Sequence, residues 1–212
     1  MPVRGRFITL EGGEGAGKST QIRLLAEALR ERGIEVLTTR EPGGSPGAEA
    51  IRDLLVNGEP GRWQPLTEAM LVNAARHEHL TRTVLPSLSA GTWVVCDRFA
   101  DSTLAYQGYG LGVHRDALVA LHRLAVAETM PDLTLILDID PEAGIARTAS
   151  RRGGEDRYER MGTEFHRRLR QGFLDIAAGE PDRCAVIDAA QPVETVQAAI
   201  LAEVGRRLGG VP

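Results

Sequence analysis

The stretch FITLEGGEGAGKS, residues 7–19, places an apolar run directly before a glycine-rich segment. Its last eight residues match the pattern G-x-x-x-x-G-K-[ST], and a helical period follows, so the motif lies between a strand and a helix, as it requires. Glycines let successive backbone NH groups face one phosphate, and the helix N-terminus adds the positive end of its dipole. The motif therefore predicts a P-loop for a nucleoside triphosphate, formed by Gly12, Gly13, Glu14, Gly15, Ala16, Gly17, Lys18, Ser19 and Thr20.

A P-loop predicts what is bound without predicting the reaction. The Lys18 ammonium is expected to reach the β and γ phosphates, and the Ser19 hydroxyl is expected to bind Mg²⁺. GTPases, motors, transport ATPases and kinases of small metabolites all carry this motif. The chain is short and has no NKxD segment, which GTPases use to recognise guanine. Kinases of small metabolites are therefore favoured.

The composition is typical of a globular protein with a single domain, residues 1–212. The net charge of −4 leaves no positive field to hold a nucleic acid, so local basic residues must bind any anion. No apolar stretch is long enough for a signal peptide or a membrane span. Cys96 and Cys184 lie in apolar runs, so we expect packing without a disulfide and a reducing cytoplasm.

Five apolar runs without clean alternation predict strands that are covered on both faces. They are residues 7–11, 36–40, 93–97, 133–138 and 185–188. Helical periods lie between them, at 22–29 and at about 47–56, 67–86, 115–129, 141–151, 163–178 and 193–208. Because strands alternate with helices, right-handed crossovers are expected to form a parallel sheet. The predicted fold is therefore α/β, a P-loop NTPase fold whose five-stranded parallel sheet has helices on both faces.

Asp97 and Arg98 end the third predicted strand. The carboxyl ends of parallel strands face the ligand crevice, so both side chains are expected opposite the P-loop. Asp97 is placed as a second anchor for Mg²⁺ or its waters, and Arg98 can grip a phosphate with two hydrogen bonds. A salt bridge at the end of a strand is the simpler alternative.

Six segments carry a wider resemblance to a known family. They are FITLEGGEGAGKS, TREPGG (39–44), AAR (74–76), DRFADSTLAYQG (97–108), PDLTLILDIDPE (131–142) and DRYE (156–159). Over about residues 5–205, the chain resembles the bacterial thymidylate kinases, which belong to the nucleoside monophosphate kinases. The resemblance implies transfer of the γ-phosphoryl group of ATP to dTMP, giving dTDP and ADP. It also implies Mg²⁺ as the cofactor and a homodimer as the assembly.

The resemblance assigns residues to the acceptor nucleotide. Glu14 and Arg40 match residues near its sugar and phosphate, and Arg98 matches the clamp on that phosphate. Arg76 matches the arginine that reads the thymine carbonyl, and Thr103 matches the side chain that meets the thymine ring NH. The implied dTMP-binding set is Glu14, Arg40, Val72, Arg76, Arg98, Ser102, Thr103, Tyr106 and Gln107.

Two of these positions bear on acceptor selectivity. Tyr106 matches the tyrosine under the sugar, where a ribose 2′-hydroxyl would clash, so the resemblance implies deoxynucleotides. Val72 departs from the family, whose members usually carry a phenylalanine that stacks on thymine. Aromatic stacking is worth on the order of 1 kcal/mol, so weaker acceptor affinity, or stacking by another residue, is expected. A kinase of another pyrimidine nucleotide or nucleoside stays an alternative, as does a nucleotide-binding regulatory module without turnover.

Residues 147–160, RTASRRGGEDRYER, surround a Gly-Gly pair with arginines and predict a short arginine-rich lid. In the family, a glycine at the position of Gly15 accompanies a catalytic arginine in this lid. The resemblance implies Arg151 or Arg152 in that role, with Arg157 as a second candidate. The expected catalytic set is Lys18, Asp97, Arg98, Arg151, Arg152 and Arg157.

Overall fold

A computed structural model describes residues 3–148 and 157–209 and places a parallel sheet at the centre of the fold. Its strands are β1 Phe7–Glu11, β2 Val36–Arg40, β3 Trp93–Asp97, β4 Leu133–Asp138 and β5 Cys184–Asp188. Their order in the sheet is β2-β3-β1-β4-β5. Every residue of β1 is buried, because this central strand is covered on both faces. The predicted strands are confirmed, and β5 begins one residue earlier than its apolar run.

Helices cover the sheet on both faces. Those of the described residues are α1 Lys18–Arg30, α2 Pro46–Val56, α3 Pro65–His79, α4 Leu85–Ser89, α5 Ala100–Thr103, α6 Arg115–Val126, α7 Pro141–Thr148, α8 Thr163–Gly179 and α9 Val193–Leu208. π-Helical turns occur at Leu80–Val84 and Leu104–Gly110. In the described residues, none of the helices has the length and apolar character needed to cross a membrane.

The alternation of side chains along β1 separates two apolar cores. Ile8 and Leu10 pack with the apolar faces of α1 and α9, whereas Phe7 packs with Leu80 and other residues from the helices beyond α3. Because successive side chains of a strand point to opposite faces, the two clusters lie on opposite sides of the sheet. Helices on both faces, as the sequence predicted, are confirmed.

Two helix predictions differ from the structure at their ends, and the end of a third is not tested. The predicted helix 67–86 is a helical path in three parts, since α3, the turn Leu80–Val84 and α4 follow one another. Pro86 has no NH to continue the α-helical bonding, which accounts for the change of pattern here. α6 ends at Val126, three residues early, because Ala127 has a φ of 52°. The predicted continuation of α7 beyond residue 148 lies outside the described residues.

A helical segment follows β3 where the sequence pattern indicates none. α5 and the π-helical turn Leu104–Gly110 form it together. The apolar stripe of an ordinary helix is missing because polar side chains are buried here, among them Asp101, which pairs with Arg183 at 2.7 Å. π-Helical turns are frequent at functional sites, and this segment carries the predicted acceptor residues Thr103, Tyr106 and Gln107.

The strand register places the predicted site residues at one edge of the sheet. Asp97 of β3 is level with Leu10 of β1 on one side and with Arg40 of β2 on the other. The segments that leave the carboxyl ends of these three strands therefore start side by side. They are the P-loop, the loop from Glu41 and the segment from Arg98.

Candidate active site

The P-loop joins β1 to α1 through a backbone that requires glycine. Gly12, Gly15 and Gly17 have φ values of 132°, 70° and 88°, in a region that other residues rarely adopt. α1 begins at Lys18, directly after Gly17, so the unpaired NH groups of its first turn lie at the loop. The Lys18 ammonium donates to the carbonyl oxygens of Gly12 at 3.1 Å and Gly13 at 2.9 Å. The loop thus combines a cation with a helix N-terminus, an arrangement that suits phosphate.

A pocket of about 570 Å³ opens beside the P-loop. This volume is within the range of sites for small organic ligands. The P-loop, the segment after β2 and the segment after β3 all contribute to its walls. The predicted site residues that line it are Glu14, Gly15, Ala16, Gly17, Lys18, Ser19, Thr20, Arg40, Val72, Arg76, Asp97, Arg98, Ser102, Thr103, Tyr106 and Gln107. Donor and acceptor residues predicted from separate segments are therefore brought together in one cavity.

Some predicted site residues do not line this pocket. Gly12 and Gly13 turn their carbonyl oxygens to Lys18, and Gly12 also accepts a bond from Arg98 at 2.9 Å. Arg157 is 2% exposed and is held by Glu68, so its guanidinium faces the protein interior. Arg151 and Arg152 lie outside the described residues. Of the three arginines predicted for catalysis in the lid, the one that the structure describes thus has another partner.

Sequence reasoning missed other residues that line the pocket. They are Glu41, Pro42, Arg52, Val56, Phe99, Tyr158 and Glu159. Several of them belong to segments that carry the family resemblance, TREPGG and DRYE, so a signal was present for those. No periodicity or motif pointed to Arg52 or Val56, which lie on α2.

Arg98, Glu14 and Tyr106 form a polar cluster between the P-loop and the segment after β3. Glu14 Oε1 accepts hydrogen bonds from Arg98 Nη2 at 3.0 Å and from the Tyr106 hydroxyl at 2.7 Å. The Arg98 guanidinium lies 4.8 Å from the centre of the Tyr106 ring. Burial by itself raises the pKa of Glu14, but the charges of Arg98 and Lys18 lower it to about 2. The site therefore holds a permanent negative charge between two cations.

The backbone that presents Arg98 is held by a buried carboxyl group. Arg98 has a φ of 71°, a left-handed conformation that is unusual outside glycine. Glu11 accepts from the NH of Phe99 at 2.7 Å and from the Ser102 hydroxyl at 2.5 Å. Burial, and then the charge of Asp101, raises the pKa of Glu11 to about 8. Glu11 thereby fixes the turn that directs Arg98 toward the P-loop, a role that no sequence motif indicated.

Arg76 is fixed by a buried ion pair that sequence reasoning also missed. Its Nε donates to Glu41 Oε2 at 2.7 Å, and its Nη2 donates to the carbonyl oxygen of Phe99 at 2.9 Å. Glu41 Oε1 is 2.9 Å from His79 Nδ1. Both charged side chains of the pair are 2% exposed. Arg76 is thus locked at the pocket wall by the first residue after β2.

The wall next to Arg76 combines apolar and polar atoms. Val72 lies one helical turn before Arg76 and packs with Leu55 and Val56 in a small apolar cluster. The buried hydroxyl of Thr103 has no hydrogen-bond partner among the described residues. A buried hydroxyl without a partner is costly unless a ligand or water completes it. This wall therefore has the chemistry to contact the flat apolar face and the polar edge of a base.

Ser19 and Asp97 meet at the opposite end of the pocket. The Ser19 hydroxyl donates to Asp97 Oδ2 at 3.4 Å, and no group in residues 3–148 or 157–209 forms a hydrogen bond with the buried Asp97 Oδ1. Mg²⁺ prefers one or two protein oxygens together with water and phosphate oxygens, and these atoms fit that preference. No cluster of three or more His, Cys, Asp or Glu side chains that could hold a metal occurs within residues 3–148 and 157–209.

The fold and this site define a class of protein. The P-loop, Asp97 and Arg98 line one pocket, in which Asp97 contacts Ser19 and Arg98 contacts Gly12. Arg76, which Glu41 fixes, lines the same pocket. This arrangement is that of a P-loop kinase whose acceptor is itself an anion.

Comparison with known proteins identifies the family. The thymidylate kinase family model matches residues 10–200. The chain is 55% identical over 207 residues to the thymidylate kinase of Caulobacter vibrioides, covering 98% of this chain and 99% of that protein. It is 50% identical over 205 residues to that of Magnetococcus marinus, covering 97% and 98%. The chain therefore belongs to the thymidylate kinase family.

A solved structure shares the fold. The crystal structure of thymidylate kinase from Ehrlichia chaffeensis superposes with a TM-score of 0.78 at 36% identity, covering 95% of this chain and 99% of the other. The P-loop NTPase fold predicted from the sequence is thereby confirmed.

Proposed function

We propose that the pocket beside the P-loop is the catalytic centre of a dTMP kinase. The chain transfers the γ-phosphoryl group of ATP to dTMP and forms dTDP and ADP. The observation that carries the proposal is the cluster of Arg98, Glu14 and Tyr106, which lines the same cavity as Lys18 in a chain of this family. The cluster supports an acceptor that carries both a phosphate, for Arg98, and a sugar, for Glu14 and Tyr106.

The donor half of the proposed site is the P-loop. Its NH groups and the N-terminus of α1 hold the phosphates of ATP. Lys18 exchanges its bonds to the carbonyl oxygens of Gly12 and Gly13 for bonds to the β and γ phosphates. Ser19 and Asp97 would hold Mg²⁺, which when bound would shield the negative charge of the phosphate oxygens.

The acceptor half lies between α3 and the segment after β3. Arg98 holds the acceptor phosphate, with Arg40 close by at the rim of the pocket. Arg76 and the free hydroxyl of Thr103 bind the edge of the thymine ring, which packs against Val72. Tyr106 packs under the sugar, and Ser102 and Gln107 complete the wall beside it.

The acceptor needs no general base. A phosphate monoester has its second pKa near about 6, so the attacking oxygen of dTMP is largely unprotonated at neutral pH. Catalysis then depends on holding the donor and acceptor oxygens in line and on neutralising the charge of the transferring group. Lys18 and Arg98, which both donate to the carbonyl oxygen of Gly12, supply positive charge next to the P-loop. We propose that Arg151 or Arg152, in the arginine-rich segment, supplies a further positive charge.

We also propose a cytoplasmic homodimer of single-domain subunits. Cys96 and Cys184 are free and buried, which suits a reducing compartment. α3 and α6 pack against each other, and they expose Met70 and Leu124, which are 50% and 82% exposed. Burial of such apolar side chains against a second copy supports the assembly. Leu124→Glu is expected to shift the mass measured by light scattering from dimer to monomer.

The proposed function is tested by ADP release with ATP, Mg²⁺ and separate acceptors: dTMP, dUMP, UMP, dCMP, dAMP and thymidine. We expect strong preference for dTMP, with UMP poor because its 2′-hydroxyl meets Tyr106. Preference for another pyrimidine acceptor would overturn the assignment and make Val72 the residue to explain. ATP binding without turnover of any acceptor would instead support a regulatory module.

A further inference from the structure

A buried carboxylate, Glu68, lies where three parts of the chain meet. It belongs to the first turns of α3, and its side chain is 0% exposed. Glu68 Oε1 accepts hydrogen bonds from Gln107 Nε2 and from the Tyr158 hydroxyl, both at 2.9 Å. Glu68 Oε2 accepts from the guanidinium of Arg157. Donors from the π-helical turn after α5 and from the segment before α8 thus converge on one side chain of α3.

Two of the three donors are walls of the proposed acceptor pocket. Gln107 and Tyr158 line it, whereas Glu68 and Arg157 do not. The Tyr158 ring also packs edge-on against Tyr106, with 5.2 Å between the ring centres, and Tyr106 bonds to Glu14. A displacement of Glu68 would therefore also displace Gln107 and Tyr158, the two side chains that bond to it and line the acceptor pocket.

We infer that Glu68 is a positioning residue for acceptor binding, which fixes Gln107 and Tyr158 in the pocket wall. The inference rests on the proposed function, because it takes this pocket to be the dTMP site. Arg157 is the partner that holds Glu68. Its guanidinium also donates to the carbonyl oxygens of Leu55 at 2.9 Å and Glu59 at 3.4 Å, which directs it away from the pocket.

The geometry explains why a carboxylate is required. An ionised carboxylate accepts hydrogen bonds on both oxygens, whereas an amide accepts on one side and donates on the other. In Glu68→Gln, an amide oxygen facing Arg157 turns its NH₂ toward Gln107 and Tyr158, which must then reverse to accept through the Gln107 amide oxygen and the Tyr158 hydroxyl oxygen. An amide oxygen facing Gln107 and Tyr158 turns its NH₂ toward the guanidinium. Removal of Arg157 lets the glutamine turn its oxygen to Gln107 and Tyr158, so that both keep their wild-type orientation.

This difference between a carboxylate and an amide allows an experiment that distinguishes an effect on protein stability from an effect on the positions of Gln107 and Tyr158. Loss of either partner of a buried ion pair leaves the other charge unpaired and destabilises the fold, so single variants do not isolate positioning. The matched pair is Glu68→Gln/Arg157→Met and Glu68→Leu/Arg157→Met. Both remove the two buried charges, and only the first keeps an acceptor oxygen for Gln107 and Tyr158.

We expect the Gln/Met variant to have a KM for dTMP within about threefold of the wild type. The Leu/Met variant is expected to raise it about tenfold, the effect of losing a hydrogen-bonded contact of ordinary strength. The KM for ATP should change less than about twofold in both, because no donor to Glu68 belongs to the P-loop. Melting temperatures are recorded alongside, since a purely structural role would move stability without moving the KM for dTMP.

Equal KM values for dTMP in the two double variants would overturn the inference, as would parallel changes in the KM for ATP. If the Leu/Met variant does not fold, calorimetric binding of dTMP is compared between Glu68→Gln and Glu68→Gln/Arg157→Met. Tighter binding by the double variant is expected, and equal or weaker binding would overturn the role of Glu68. The proposed function is tested separately, on the wild-type enzyme. A preference of the wild type for an acceptor other than dTMP would refute that function, whatever the variants show.

Discussion

Gly15 of the P-loop and Gly144 of α7 approach each other backbone to backbone. A Cβ on Gly15 would lie 1.9 Å from the carbonyl oxygen of Gly144, and a Cβ on Gly144 would lie 2.3 Å from the carbonyl oxygen of Glu14. Both distances are far below contact, so the P-loop and α7 pack this closely only because neither residue has a side chain. Close packing against α7 is thus a physical reason for glycine at position 15. It is separate from the family resemblance, which links this glycine to a catalytic arginine in the lid.

Gly144→Ala is therefore expected to displace the P-loop. Alanine has the higher helix propensity, by about 1 kcal/mol, so a gain in stability would result if the contact were unimportant. Since the new methyl group meets backbone atoms, we expect at least a tenfold lower kcat/KM for ATP and a lower melting temperature. Gly179→Ala is the control, because Gly179 ends α8 and has nothing within 4 Å of an added Cβ. Wild-type kinetics in Gly144→Ala would show that the loop accommodates the change.

Lys18→Ala tests the proposed catalytic role of the ammonium group. Removal of one preorganised charge that contacts the transferring group typically costs about 10²-fold to 10³-fold in turnover. We expect kcat to fall by such a factor while the KM for dTMP changes little, because Lys18 contacts donor phosphates. Steady-state kinetics with both substrates varied measure the two effects separately. Equal turnover in variant and wild type would remove Lys18 from the mechanism.

Lys18 is also the only lysine of the chain, which permits a direct measurement of donor binding. Burial lowers the pKa of its amine below the usual value, so more of the reactive, unprotonated form is present at a given pH. An amine-acylating reagent is expected to modify Lys18 and the α-amino group, and ATP with Mg²⁺ should protect Lys18 alone. Mass spectrometry of the peptides quantifies both labels, with the α-amino group as internal control. Labelling of Lys18 that ATP leaves unchanged contradicts phosphate binding by this side chain.

Val72→Phe tests the apolar wall of the acceptor pocket. Val72 is 8% exposed and lines the cavity next to Val56. Phenylalanine adds an aromatic face for the base, worth on the order of 1 kcal/mol, so dTMP should bind up to about fivefold tighter in a calorimetric titration. ATP binding serves as the control and should not change. Unchanged or weaker dTMP binding would mean that Val56 and its neighbours already fill this part of the wall.

The sequence predicted the fold well because the physical signals of its strands are local. β1 and β4 are rich in Leu and Ile and are buried along nearly their whole length, as is typical of strands covered on both faces. The P-loop is equally local, since eight adjacent residues define it. Within the part of the chain that the structure describes, α5 and the π-helical turn after it were not predicted, because they bury polar residues such as Ser102 and show no apolar stripe.

The site was harder to predict where function depends on buried charge. Glu11, Glu41 and Glu68 are all less than 5% exposed, yet in a sequence each resembles a surface carboxylate. The role of each carboxylate depends on partners that are distant in the sequence. No spacing rule links a carboxylate to such partners. Arg157 shows the converse, because an arginine within a charged run was predicted to meet substrate and is instead buried against Glu68.

Glu41 provides the clearest test of such a hidden residue. Glu41→Gln removes the charge that pairs with Arg76 at 2.7 Å and leaves a guanidinium buried without its counterion. The free energy of unfolding is expected to fall by about 3 to 5 kcal/mol, as measured by urea denaturation. The KM for dTMP should rise as well, because a neutral amide oxygen holds Arg76 Nε less firmly at the pocket wall than the carboxylate does.

Glu27→Gln is the matched control for that measurement. Glu27 pairs with Arg23 at 2.9 Å on the exposed face of α1, where both side chains are about half exposed. Exposed pairs of this spacing contribute about 0.5 kcal/mol or less, so stability and kinetics should stay close to wild type. If Glu41→Gln loses stability while the KM for dTMP stays constant, the ion pair serves the fold alone. A rise in that KM, at temperatures where the variant is fully folded, would instead assign Glu41 to the orientation of Arg76.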